Sequence, residues 1–514
     1  MLTDPYRGTA FAGDSHATGF GFVLGIWQVL DVRENGITRA GRIGLIAAPV
    51  VLAFVLLTDP PDGLSAAGWR TAGVVVVMAV LWMTEAIPIP VTALLPLVLF
   101  PLLGVAPVKE AAAPFANPVI FLFLGGFILA LGLQRWRLHE RAAYWIIGCT
   151  GARVSHVLAG FMAATAFVSM WINNSATTVM MLPMAVSVSV LFRAHLGGDE
   201  KGKEGLGLAL MLGVAYASSI GGVGTLIGTA PNAFMAGFMR ENYGIHIGFA
   251  EWMSVGVPFV AAGVFVAHAV LSRVCLTDRR FEVPGMREEV RRELGKLGGW
   301  KRGEVVVAAV FGLAAALWMT QPLLKPWVPG LSDAVVAMAA AIVLFLIPVD
   351  WRRGEFVLAG RDLRDLPFGV LLLLGGGLSM AEMIDSTGLA AWLGTWTEGW
   401  RVLPVALVVV LVTLVIIFLT ELTSNTATTA TFLPVVASIA VAMGHAPMVL
   451  VLPAAIAASC AFMLPVGTPP NAIVFASGLV PLPRMARVGL VLNVIFAVLI
   501  PLVVLSLGAW VFGS

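Results

Sequence analysis

Apolar runs of about twenty residues recur along almost the whole of this chain, and no other feature limits its fold so strongly. Inside a bilayer no water can pair with backbone N–H and C=O groups, so such runs cross as helices that pair them internally. The 514 residues are 59% hydrophobic and only 12% charged, a balance soluble domains do not carry. An all-α polytopic membrane protein is therefore predicted. With 31 Lys and Arg against 29 Asp and Glu, charge is too sparse and too balanced to form a nucleic-acid groove. Cys149, Cys275 and Cys460 are far apart in apolar surroundings, with neither disulfide-framework nor metal-ligand spacing, and read as packing residues.

Acidic and polar positions such as Asp4, Asp14 and Asp31 flank only a short apolar stretch, so residues 1–42 read as a retained cytoplasmic or interfacial segment rather than a cleaved signal. Eleven crossings are predicted near 43–58, 72–88, 90–106, 117–134, 207–240, 252–274, 304–321, 331–349, 367–388, 447–478 and 486–512. Two more apolar stretches, 151–192 and 402–444, carry polar clusters at their middles and are too long for one crossing. Loop charge reads them as re-entrant hairpins. With a cytoplasmic N-terminus and both stretches returning to their own side, 26 of the 31 Lys and Arg lie inside, and only Arg70, Lys109, Arg240, Lys325 and Arg401 lie outside. Either stretch as a single crossing would erase that bias. The C-terminus is then outside, in the plasma or inner membrane. The charged stretch 276–303, with Arg287, Glu288, Glu289, Arg291, Arg292 and Glu293 at helical spacing, reads as an amphipathic cytoplasmic linker.

The two halves, 43–275 and 304–514, repeat. Leu124-Gly125-Gly126 returns as Leu374-Gly375-Gly376, Asn173-Asn174-Ser175-Ala176-Thr177-Thr178 as Ser424-Asn425-Thr426-Ala427-Thr428-Thr429, and Gly228-Thr229-Ala230-Pro231-Asn232 as Gly467-Thr468-Pro469-Pro470-Asn471. By the assigned topology the copies cross in opposite senses, as in secondary transporters whose sites lie where broken helices meet. Each half has one hairpin (151–192, 402–444) and one broken helix (207–240, 447–478).

The chemistry suits such a site. Asn, Ser and Thr at a hairpin tip supply neutral oxygens and amide donors, and the N–H groups opening the returning helix favour an anion. Pro469 and Pro470 cannot both continue a hydrogen-bond ladder, so carbonyls come free beside Asn and Thr, hard ligands suited to Na⁺. A lone polar patch of this kind would be helix-packing glue; two inverted copies beside two breaks favour a site. Among intramembrane acids, Glu421 and Glu85 read as buried structural acceptors in preference to coupling groups, with Glu382 and Asp385 near an outer helix end. Gly222, Gly224 and Gly228 lack a preceding strand and the spacing of a dinucleotide loop, and read as packing or unwinding glycines. An intramembrane enzyme is disfavoured because the clusters hold neither a nucleophile with a positioned base nor a metal set, and a channel because no charge ring recurs.

Ser424-Asn425-Thr426, its near-copy at the first tip, Trp82 to Pro88, and above all Ala461-Phe462-Met463-Leu464-Pro465-Val466-Gly467-Thr468-Pro469-Pro470-Asn471 resemble the divalent anion/sodium symporter family. The resemblance runs from about residue 40 to the C-terminus. It implies Na⁺-coupled import of C4-dicarboxylates such as succinate, malate or fumarate, with Na⁺-independent exchange or sulfate or citrate carriage as the alternatives inside the family. It also implies a homodimer in which a transport domain moves as an elevator against a scaffold. Carried over by position, it points to substrate contacts at Asn174, Ser175, Thr229, Asn425, Thr426, Thr468 and Pro469. One Na⁺ site would use Ser169, Asn173, Asn174 and Gly228, and a second Thr420, Thr423, Asn425 and Gly467. Asn173 departs from the family's serine at the first tip, so the first cation site is expected to be altered.

Overall fold

A computed structural model describes residues 38–195, 200–276, 282–283, 285–396 and 402–512. Most of the expected N-terminal segment 1–42 therefore lies outside the described residues. Helix α1 (Arg39–Leu57) buries a small-residue face of Gly41, Gly44 and Ala48 and turns Ile43, Ile46, Val50, Phe54 and Leu57 outward, as suits a helix packed on one side and facing lipid on the other. It packs on α2 (Ala66–Thr84), which begins six residues before the predicted 72 because Ser65 caps it by accepting from the Gly68 N–H. Residues 90–106, predicted as one crossing, form two short helices instead, Ile89–Thr92 and Pro96–Leu102. Pro90, Pro96 and Pro101 deprive that stretch of the N–H groups one helix would need. Ten helices among the described residues are long and apolar enough to cross a bilayer, and they include the returning arms of both expected hairpins.

The chain continues through α3 (Pro118–Arg135) and the short α4 (Leu138–Gly148) to a helix pair, α5 (Val154–Ser169) and α6 (Asn174–His195). Next come α7 (Glu200–Gly222), α8 (Ala230–Tyr243) and α9 (Phe249–Val274). A Cβ on Gly213 would lie against Leu158 and Met162, and one on Gly221 against Ala166, so α5 runs in the direction of α7. Thr178 meets Ser218 while Asn174 meets Gly222, so α6 runs the opposite way. The polar cluster 173–178 thus opens the returning arm of a helix–turn–helix.

After the linker helix α10 (Met286–Leu297), the second half carries α11 (Arg302–Leu324), α12 (Asp333–Leu346), a two-stranded antiparallel hairpin (Pro348–Asp350 with Glu355–Phe356) and α13 (Phe368–Ser386). It continues through α14 (Leu389–Thr395), the pair α15 (Val405–Thr420) and α16 (Asn425–Ala442), then α17 (Met448–Ala458), α18 (Pro469–Ala476) and α19 (Leu482–Val503). The chain leaves its helices at 223–229 and 459–468, and each interruption ends within one copy of the Pro-containing motif.

The core is built around α7 and α17. Every residue of 205–222 and of 448–458 is buried, as their lack of charge allows. The halves interlock across this centre: α6 packs on α18, and α8 on α16. The repeated Leu-Gly-Gly motif makes close approach possible in both halves. Gly125 lies against the Ala337 backbone of α12, and Gly376 against the carbonyl of Ala93. Of the cysteines, Cys275 and Cys460 are buried as expected, whereas Cys149 is exposed. Gly376→Val should force α13 away from Ala93 and cost about 1–3 kcal/mol, as overpacking does; a thermal melt of the detergent-solubilised protein matching the parent would refute this contact.

Candidate functional site

Each helix pair ends in the same arrangement. The Ser169 hydroxyl at the end of α5 lies 2.8 Å from Asn174 Oδ1 and 2.7 Å from the Ser218 carbonyl. In the second half the Thr420 hydroxyl lies 2.8 Å from Asn425 Oδ1 and 2.8 Å from the Ala458 carbonyl. One hydroxyl proton serves two acceptors in both places, so each is an oxygen-rich, proton-poor cluster, the donor set a hard cation favours. Ser169 and Thr420 are fully buried, and Asn174 and Asn425 are half-buried at helix starts. Thr178 and Thr429 hold those starts in place, each donating to the carbonyl of its asparagine at 2.8 Å.

The breaks are held by matching side chains as well. Asn232 Nδ2 donates to the carbonyls of Gly222 (3.0 Å) and Thr225 (2.7 Å), and Asn471 Nδ2 to those of Ala461 (3.1 Å) and Leu464 (3.0 Å). These bonds answer the main cost of interrupting a helix in a dry interior, which is unpaired backbone. Thr229 and Thr468, both extended, cap α8 and α18. Thr468 Oγ1 accepts the Asn471 N–H, while Thr229 makes no side-chain cap bond. Four helices, α6, α8, α16 and α18, therefore begin at the tips and breaks, and each N-terminus carries partial positive charge.

At the tips the halves differ in charged groups at one position. Glu421, at the second tip, is buried, and its Oε1 accepts the N–H groups of Phe462 (2.6 Å) and Met463 (2.9 Å) and the Asn493 side chain (2.8 Å). Its Oε2 accepts the Leu464 N–H at 3.0 Å. This is the structural acceptor expected of Glu421. The same expectation for Glu85 is corrected. Glu85 is exposed and ends α2 in the left-handed region (φ 46°), because the Ile87-Pro88 turn that follows leads the chain out of the helix.

Of the residues expected at the cation sites, Ser169 joins Asn174 and Thr420 joins Asn425. Gly467 lies beside the Glu421 carboxylate, and Gly228 beside the Gly222 carbonyl. Two side chains turn elsewhere. Asn173 Oδ1 accepts the Ala176 N–H at 2.8 Å, capping α6, and the Thr423 hydroxyl bonds to Leu419 O and to Thr428. Ser175 and Thr426 are half-buried in the first turns of α6 and α16, and Pro469 is exposed at the start of α18. Residue-type reasoning named neither the carbonyls of Ser218 and Ala458, which leave no signature, nor Trp252 and Asn493. The Trp252 indole donates to the Val223 carbonyl at 2.8 Å. Asn232 and Asn471 were visible as the last residues of the repeated motif.

Asn471→Ala should leave the buried Ala461 carbonyl unpaired and the Leu464 carbonyl with the Gly467 N–H alone, and Glu421→Gln should set an amide N–H₂ against backbone donors. Each change is expected to cost about 2–3 kcal/mol, read as a lowered melting temperature beside a surface control such as Lys109→Gln.

The family described as "Sodium:sulfate symporter transmembrane region" matches residues 40–513. The chain is 40% identical over 488 residues to a protein of Staphylococcus saprophyticus named sodium-dependent dicarboxylate transporter SdcS, covering 94% of each. It is 40% identical over 470 residues, 90% of each, to the protein of that name from Staphylococcus aureus strain USA300. Among solved structures, the YdaH transporter of Alcanivorax borkumensis shares the fold with a TM-score of 0.55 at 12% identity, over 92% of this chain and 98% of that one.

Proposed function

The chain belongs to the sodium:sulfate symporter family, the divalent anion/sodium symporters, and from that membership we propose that it imports C4-dicarboxylates such as succinate, malate or fumarate by Na⁺ symport. The observation that carries this reading is the pairing, in each half, of an oxygen cluster with a helix start on one asparagine, Asn174 or Asn425. Na⁺ fits these clusters: it would be held by Ser169, Asn174 and carbonyls near Gly228 in the first half, and by Thr420, Asn425 and carbonyls near Gly467 in the second. Bound there, it supplies positive charge and nothing else. A cation drawing in Asn174 Oδ1 also fixes the first residue of α6, and with it the N–H groups that face a carboxylate. Ordering for the cation is thereby ordering for the anion, which is the differential binding that coupling requires.

In this reading Ser175, Thr229, Thr426, Thr468 and Pro469 line the substrate position with the two asparagines, and no Lys or Arg is needed to hold a dianion among four helix starts. Two re-entrant hairpins, two inverted repeats and two Na⁺ sites complete it. The assembly is a homodimer with a fixed scaffold and a transport domain that moves as an elevator. It lies in the plasma or inner membrane with the N-terminus cytoplasmic and the C-terminus outside. Residues 276–303 form the cytoplasmic linker, as loop charge places them.

A second reading, Na⁺-independent exchange, is favoured by Asn173, whose oxygen is spent on the α6 cap. Succinate uptake into proteoliposomes separates the two. Symport predicts uptake that needs external Na⁺, and exchange predicts uptake that needs internal succinate and ignores Na⁺. Asn425→Ala and Thr468→Ala should each reduce uptake at least ten-fold, about 1.4 kcal/mol or more, while the protein still folds. Asn173→Ser is expected to lower the Na⁺ concentration for half-maximal uptake about three-fold, roughly 0.7 kcal/mol; an unchanged Na⁺ dependence would show that Asn173 has no bearing on the first site.

A further inference from the structure

A cavity of about 730 Å³ lies between α4, α6 and the linker helix α10. One end reaches Ile172 and Ala176, within a turn of Asn174, and its wall follows α6 through Met180 and Met184 to Ser187. From Ala176 to Ser187 that path is about 16 Å at 1.5 Å per residue. The other end is rimmed by six charged side chains, Arg137 and Glu140 of the α3–α4 corner and Glu289, Arg292, Glu293 and Lys296 of α10.

These charges balance in number but not in presentation. Glu140 pairs with Arg137, Glu289 with Arg292, and Glu293 with Lys296. The carboxylates keep only 17%, 12% and 21% of their side-chain surface exposed, against 53%, 60% and 59% for their cationic partners. The acids of α10 are anchored from behind. Glu289 accepts from Ser187 on α6 at 3.1 Å, and Glu293 from the Tyr144 hydroxyl on α4 at 3.4 Å. Burial, with the Glu293 carboxylate beside it, pushes the Tyr144 phenol above its ordinary value, so it stays a donor. The tethered acids thus hold three guanidinium and ammonium groups outward at the mouth of a passage that ends one turn from the first tip.

We infer that this cavity is one mouth of the anion path and that Arg137, Arg292 and Lys296 form a weak outer station for the dicarboxylate, which makes α10 a charged wall of the route and more than a linker. The inference rests on the proposed function. Its ion pairs are the reason the station is weak: the anion meets each cation already half-satisfied and is passed inward, where helix starts take over from side-chain charge. Exposed charges of this kind act on encounter and are screened by salt over about 8–10 Å.

The test uses the full-length protein in membrane vesicles of both orientations, with succinate as the probe. Arg292→Gln with Lys296→Gln leaves two acids unpaired and should raise the KM for succinate from the α10 face about five-fold relative to the KM from the opposite face. Glu289→Gln with Glu293→Gln keeps the acceptor oxygens for Ser187 and Tyr144 but frees the cations, and should lower that ratio. Both shifts should shrink at high ionic strength. Shifts of one sign in the two variants, or none, overturn the inference, because a purely structural role for α10 cannot produce opposite signs. In a Cys149→Ser background, Met184→Cys should react with an impermeant maleimide from the α10 face alone, and succinate should slow the reaction. Labelling from the other face only, or from neither, also overturns it. Maleimide access is read without transport, so a wild type that takes up no succinate from either face counts against the proposed function instead.

Discussion

An interrupted helix in a dry interior leaves backbone groups that nothing but the protein itself can pair, and the centre of this molecule is arranged around that debt. At each break an asparagine reaches back to two carbonyls, Asn232 to those of Gly222 and Thr225, and Asn471 to those of Ala461 and Leu464. At each tip a buried hydroxyl ties the turn to the end of the central helix, Ser169 to Ser218 and Thr420 to Ala458. Tip and break are therefore one unit in each half. Neither can move without exposing polar groups of the other, so the oxygens that remain are held in fixed relation to the helix starts beside them.

In the proposed function, that fixed relation would give the site its selectivity of sign. Amide, hydroxyl and carbonyl oxygens gather at Asn174 and Asn425, which are also the first residues of α6 and α16. Under the proposed function, cation and anion would bind next to each other without a formal charge from either asparagine. A lysine or arginine in the same place would bind the anion whether or not a cation were present, and would weaken the coupling that neutral, orientable groups permit.

Much of this was readable from residue order, because repetition amplifies weak signals. A single Asn-Ser patch means little, but Asn174 and Asn425 recurring ahead of Thr229-Ala230-Pro231-Asn232 and Thr468-Pro469-Pro470-Asn471 located both tips and both breaks. What the residues hid was mostly backbone. The carbonyls of Ser218 and Ala458 have no side-chain signature, and the prolines of 90–106 sit in a stretch apolar enough to pass for one crossing. Glu85 follows an apolar run and so reads as buried, yet it ends its helix in the left-handed region with its side chain exposed. Asn173 was weighed as a cation ligand because of its oxygen, and that same oxygen is what a helix start recruits as a cap.

The repeats agree in backbone and disagree in charge, and the disagreement is confined to the second break. Where Glu421 gathers three consecutive N–H groups and Asn493, the position before the first tip is Met170, whose carbonyl accepts from Thr225, while Trp252 donates to the Val223 carbonyl. The second break is thus organised by an acidic side chain where the first has a methionine carbonyl and an indole. Under the proposed function, two clusters with matching hydroxyl, amide and carbonyl oxygens would differ in how strongly they attract a cation, through a residue that belongs to neither cluster. If the repeated motifs hold two cation sites, as proposed, they need this kind of divergence to fill in order, since identical sites in identical fields would fill together.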